Sequence, residues 1–180
     1  MNEIYTRRSA RKFSCKLPER DKLLAVVQAG TCAPSALNNM SRQFTVITDK
    51  KLIDKLNGAV KAATNPDEVN AVTERNGGIY SFFYSAPALI VVSTDRNELC
   101  PAADCAVALE NMFLKAEQLG LSTCWINKLS ALCSDHGVRE TLTEAGIPLF
   151  HDVYGSCAIG YSDIDKTPVT SKPNKIIFCE

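Results

Sequence analysis

Pro87-Ala88-Leu89-Ile90-Val91-Val92-Ser93 is a near-continuous apolar run. A strand packed on one face alternates apolar and polar residues; an unbroken run predicts a strand covered on both sides. Downstream, residues 101–119 read as the longest helix, with Pro101 at its start and Gly120 marking its end. Ala103, Val107, Met112, Phe113 and Ala116 make it apolar over much of its circumference, so it is a central or interfacial helix. Residues 121–126 then read as a strand, 139–145 as a helix and 153–159 as a further strand.

Upstream, Leu17-Pro18-Glu19 opens a helix that carries Leu23, Leu24, Val26 and Val27 and runs to about Gly30. Ala33 to Ser41, rich in Pro, Ser and Asn, is expected to be irregular. Phe44-Thr45-Val46-Ile47-Thr48 reads as a strand. Asp49 caps a following helix marked by Leu52, Ile53 and Leu56. Residues 61–78 are polar, lack clear periodicity and end in Gly77-Gly78, so a mobile excursion is expected there, a lid or an interfacial loop. The tail from Ser162 closes on the strand-like Ile176-Ile177-Phe178, and so long an extension suits packing at a distance, a second subunit included. Helices and strands mix without strict βαβ alternation, which favours an α+β fold. With 180 residues, one domain over 1–180 is expected, residues 162–180 forming its extension.

The formal net charge is zero and charged residues make up 22% of the chain, as in a soluble globular protein. A nucleic-acid binder would carry a broad basic stripe, so none is expected as a partner. No stretch of eighteen apolar residues occurs and no signal-like start, which excludes a membrane span and points to the cytoplasm. The eight cysteines are scattered without CxxC spacing, so they read as reduced thiols and not as metal ligands, with Cys124 and Cys157 as small buried hydrophobes.

Against this neutral background three polar constellations stand out. Arg7-Arg8-Ser9-Ala10-Arg11-Lys12-Phe13 gathers four cations around a hydroxyl. On a helix, Arg7 and Arg11 would project from one face and grip phosphate oxygens bidentately. A solvated basic patch is the plainer alternative. The second is Pro34-Ser35-Ala36-Leu37-Asn38, whose donors and acceptors suit a flat heterocycle with imide-like edges, or equally an ordinary turn. The third is Cys124-Trp125-Ile126-Asn127-Lys128, where a strand runs out into a loop with the only tryptophan of the chain. A tryptophan at the margin of a core would look the same. His136 and His151 lie outside all three.

In order along the chain, these segments resemble the nitroreductase family of flavin enzymes. The resemblance rests on the Arg7–Phe13 run, on Ala33-Pro34-Ser35-Ala36-Leu37-Asn38, and on Ala86-Pro87-Ala88-Leu89-Ile90-Val91-Val92. It continues through Asp104 and Asn111 to Gly120-Leu121-Ser122-Thr123-Cys124-Trp125-Ile126, then Ala158-Ile159-Gly160-Tyr161 and the basic tail. It implies a three-layer α+β fold, with a mostly antiparallel sheet between helices, in an intertwined homodimer that exchanges its C-terminal strands. It also implies FMN at the subunit interface. By the same resemblance Arg7, Arg8, Ser9 and Arg11 hold the cofactor together with Lys172 and Lys175. Pro34, Ser35, Ala36 and Asn38 reach the partner's flavin. Trp125, Ile126, Asn127 and Lys128 run along the isoalloxazine, with the Asn127 backbone near its reactive nitrogen.

The implied activity is oxidation of NADH or NADPH through FMN, with reduction of a small acceptor such as a nitroaromatic or a quinone. No side chain need act as acid, base or nucleophile. A dehalogenating, dehydrogenating or flavin-cleaving relative, or a non-catalytic flavin carrier, would share the same features. The chain departs from the family pattern where Met40-Ser41-Arg42 replaces Gln-Pro-Trp, where Ser162 replaces Pro and where Ser171 replaces Arg.

Overall fold

The structure is a computed structural model that describes residues 2–166 and 175–179. Its elements follow the chain as helices α1 (Glu3–Thr6) and α2 (Arg20–Thr31), strand β1 (Gln43–Ile47), helices α3 (Lys50–Ala62) and α4 (Pro66–Arg75), and strand β2 (Ala88–Asp95). There follow α5 (Pro101–Gln118), β3 (Ser122–Ile126), α6 (Lys128–Leu132), α7 (His136–Glu144) and β4 (His151–Gly160). The four strands form one antiparallel sheet in the order β1-β2-β4-β3.

The expected α+β, three-layer architecture is what forms. Ala88, Ile90 and Val92 of β2 turn to one side of the sheet, against Leu23 and Val26 of α2 and Leu109 and Met112 of α5. Leu89 and Val91 turn to the other, against Ile53, Leu56 and Val60 of α3 and Val138 and Leu142 of α7. Two cores, one on each face, account for the unbroken apolar run from Ala88 to Val92, all five residues of which are fully buried.

Local signals set the helix ends. Asp49 accepts a hydrogen bond from Lys51 N at 2.8 Å and caps α3 as expected. Helix α5 ends at Gly120, whose φ of +73° lets Leu121 N reach Ala116 O at 2.9 Å and Gly120 N reach Glu117 O at 3.0 Å.

Two expectations need correction. Residues 61–78 are no structureless excursion: α4 lies within them. Asn65 accepts from Glu68 N at 2.8 Å, Pro66 opens the first turn, and Asp67 and Glu68 favour its positive end. Residues 33–41 are not wholly irregular either, since a 3₁₀ turn spans Ala36–Asn38. Ile176, Ile177 and Phe178, expected to pack at a distance, stand exposed and pair with no strand of this chain among the described residues.

Candidate active site

The first and third constellations meet across the chain's N-terminal segment. Helix α1 stops at Thr6, and Arg7 has the extended ψ of 130°, so the basic run is not the helix that would align Arg7 with Arg11. It lies extended beside β3 instead: Ser9 bridges Thr123 in parallel fashion and Ala10 N donates to Thr123 O at 2.9 Å. Pairing with a strand supplies the backbone bonds that a helix would otherwise have made.

Each basic side chain then goes its own way. Arg7 lies 3.7 Å from Glu110 and sits 5.9 Å over the Phe113 ring, both on α5. Arg8 folds back, its Nη1 donating to Tyr5 O and Arg7 O. Ser9 and Arg11 are exposed. Trp125, 37% exposed, packs edge-on against the same Phe113 at 6.1 Å. Arg7 and Trp125 thus both pack on the buried Phe113.

A cleft of about 560 Å³ is lined by Arg11, Lys12, Phe13, Glu74, Arg75 and Tyr84, among others. Arg11, Lys12 and Arg75 make no hydrogen bond or ion pair among the described residues. A second cavity of about 520 Å³ shares Ile79 and Ser85 with the first. Its one cation, Lys50, is already neutralised by Asp54 at 2.6 Å. Of these two cavities, the first is the one that offers an anionic ligand unsatisfied donors.

The third segment leads from β3 into α6. Ile126 is buried and its carbonyl accepts from the buried Ser156 Oγ at 2.8 Å, which fixes the strand end. Asn127 is exposed at the start of α6 and its side chain makes no capping bond. Lys128 does not reach into open solvent: its Nζ donates to Glu68 Oε2 at 2.7 Å and lies 5.2 Å over the Phe82 ring. Burial raises the pKa of the Cys124 thiol, while the cations of Arg11 and Arg7 pull it down.

The second constellation stands apart. Asp104, in the first turn of α5, accepts from Ala36 N with both carboxylate oxygens, at 3.0 and 3.2 Å. The loop is thereby tied to the opposite end of α5 from Phe113. Pro34 and Asn38 are exposed and Ser35 Oγ accepts from Met40 N at 2.9 Å. Lys175 is exposed, and Lys172 lies outside the described residues.

Sequence reasoning missed Arg75, Asn76 and Tyr84 on the cleft wall. The Asn65-Pro66 helix start was the signal that would have placed Arg75 in the last turn of an ordered helix. No group of three or more His, Cys, Asp or Glu among the described residues is placed to hold a metal, and no helix there is long and apolar enough to cross a membrane.

Comparison with known proteins bears on the family and the fold. The chain shares 26% identity over 91% of its length, and 85% of the other's, with an Archaeoglobus fulgidus protein named as an NADH dehydrogenase/NAD(P)H nitroreductase. A Bacteroides fragilis nitroreductase with bound FMN superposes with a TM-score of 0.88 at 36% identity, covering 99% of this chain and 97% of that one. A Desulfitobacterium hafniense nitroreductase, also with bound FMN, gives 0.87 at 28% identity over 99% and 96%. Since the nitroreductase family profile also matches residues 4–161, this chain belongs to the nitroreductase family.

Proposed function

We propose that the protein is an FMN-dependent oxidoreductase that draws on NADH or NADPH and reduces a small planar acceptor such as a nitroaromatic or a quinone. The observation that carries this reading is the set of cations Arg11, Lys12 and Arg75, which line one cleft with the aromatic Phe13 and Tyr84 and make no ion pair among the described residues. That donor set fits a group with a dianionic phosphate at one end and a flat ring at the other. When bound, FMN supplies the redox chemistry.

The chain's own residues then bind and orient. Arg7, Arg8, Ser9 and Arg11 take the phosphate and ribityl end, joined by Lys172 and Lys175 from the tail. Trp125, Ile126, Asn127 and Lys128 line the ring, and a backbone N–H at Asn127 favours negative charge on it. Lys128 enters that role already paired with Glu68, so its charge is shared between the two.

Pro34, Ser35, Ala36 and Asn38 sit at the far end of α5 from Trp125. In this reading they serve the flavin of a second protomer, which makes a homodimer part of the proposal. The exposed Ile176, Ile177 and Phe178 are the segment that would reach across.

The visible spectrum of the purified protein tests the reading. Flavin absorbance, bleached by NADH or NADPH without oxygen and restored by an acceptor, is expected, as is a dimer in size-exclusion chromatography. A protein that stays colourless after incubation with FMN would end it.

A further inference from the structure

Arg42 replaces the aromatic residue of the family pattern, and its surroundings give it a defined task. It directly precedes β1 and is buried, with 9% of its surface exposed. Its Nη2 donates to Ala33 O at 2.7 Å, and its Nη1 to Pro34 O and to Asp104 O, each at 2.9 Å. No carboxylate lies within ion-pair distance of it among the described residues. A buried cation held by three carbonyl oxygens and the Met40 sulfur, with no carboxylate, is a poor device for stability, because an apolar side chain of equal size avoids the desolvation. What the fork does achieve is to join the start of the 33–42 loop, its end and the first turn of α5.

The clasped loop is strained. Leu37, Asn38 and Met40 have φ of 52°, 57° and 54°, the left-handed region that non-glycine residues avoid. Leu37 is 90% exposed, so its own packing does not hold it there. Ser35 Oγ, the Asp104 carboxylate and Arg42 do.

We infer that Arg42 is a positioning residue for the cofactor: by clasping both ends of the strained loop it presents Ser35, Ala36 and Asn38 in the geometry that FMN requires. This rests on the proposed flavin reading, and on that loop taking part in it.

The test measures FMN dissociation constants by flavin fluorescence for the wild-type protein, Arg42→Met, Arg42→Lys and Arg42→Met/Leu37→Gly. Arg42→Met is expected to weaken FMN binding about ten- to a hundredfold, while turnover at saturating FMN stays within about twofold. Arg42→Lys keeps the charge but not the fork and is expected to lose about fivefold. Should Arg42→Met not fold, the lysine variant carries the comparison. Glycine at position 37 removes strain without removing packing, so it should return part of the lost affinity. A variant lacking the fork that melts earlier yet binds FMN as the wild type does would overturn the inference alone. A wild-type protein that binds no FMN would overturn it together with the flavin reading.

Discussion

Lys128 and Glu68, sixty residues apart in sequence, meet at 2.7 Å and fasten the first turn of α4 to the start of α6. Lys128 is the more enclosed partner, its side chain 19% exposed against 41% for Glu68, and it also lies over Phe82. The pair thus holds the helix that carries Arg75 to the cleft wall. Glu68→Gln leaves the Asn65 cap on the backbone intact but removes the charge. Its cost should be about 0.5–1 kcal/mol, smaller in high salt. Amide exchange in residues 66–75 should quicken relative to α5. Equal exchange in variant and wild type would mean that α4 is held by its packing alone.

Gly155 marks the closest approach of sheet and helix. A Cβ built there would lie 2.4 Å from Leu109 Cδ1 and 3.1 Å from Trp125 Cζ2. Leu109 is fully buried and has nowhere to retreat. Gly155→Ala should therefore destabilise by about 1–3 kcal/mol and shift the emission of Trp125, the sole tryptophan. An unchanged melting temperature with unchanged emission would show that the interface gives way freely.

What could be read from sequence was what local pattern determines. β2 and α5 declare themselves through apolar runs and end signals, and their places in the fold follow. Helix α4 was missed because it is mostly polar and buries only Val72, so few apolar residues mark its face and the signal lies in its cap. The extended course of the basic run depends on pairing with Thr123, more than a hundred residues away, which no local pattern encodes. Arg42 could be seen to depart from its family, but its partner Asp104 O is supplied by a helix 62 residues on. The family motifs were legible; which of their residues lie near one another in the fold was not.

His151 gives stability a pH dependence. Its ring is buried, shares a hydrogen bond with Ser93 Oγ at 3.2 Å and stacks edge-on with Phe150. Burial lowers its pKa from 6.5, with Asp95 opposing and Arg139 assisting. Below about pH 6.5 the unfolded chain binds a proton that the folded chain refuses, so stability falls as pH drops toward the lowered folded pKa. Above that window His151 contributes no slope. The urea midpoint should fall more between about pH 7.5 and about pH 5.5 in the wild type than in His151→Gln. Identical losses in the two proteins would assign the acid sensitivity to other groups.

The thiols should divide by burial. Burial drives Cys105 up to about 12 and raises Cys124 and Cys157 as well, so none of these is a thiolate near neutrality. Cys15, Cys32, Cys100 and Cys179 are exposed. Mass spectrometry after brief alkylation should find label on exposed cysteines and none on Cys105, Cys124 or Cys157 until denaturant is added. Early labelling of Cys124 would reveal that β3 opens under native conditions.

The cleft cations should differ in weight if they hold FMN. Arg11 belongs to the run anchored on β3 by the Ala10–Thr123 bond, so its fork starts from a fixed backbone. Arg75 sits in the last turn of α4, whose attachment depends partly on an ion pair. A charge-assisted hydrogen bond contributes about 1.5–3 kcal/mol, so Arg11→Ala should weaken FMN binding about ten- to a hundredfold. Arg75 should act mainly through long-range attraction, which salt screens. Arg75→Ala is expected to cost only a few-fold at low ionic strength and nothing measurable in about 0.5 M salt. Titration of both variants with FMN at the two salt concentrations decides the matter. A larger loss in Arg75→Ala than in Arg11→Ala would move the phosphate site from the N-terminal run to the end of α4.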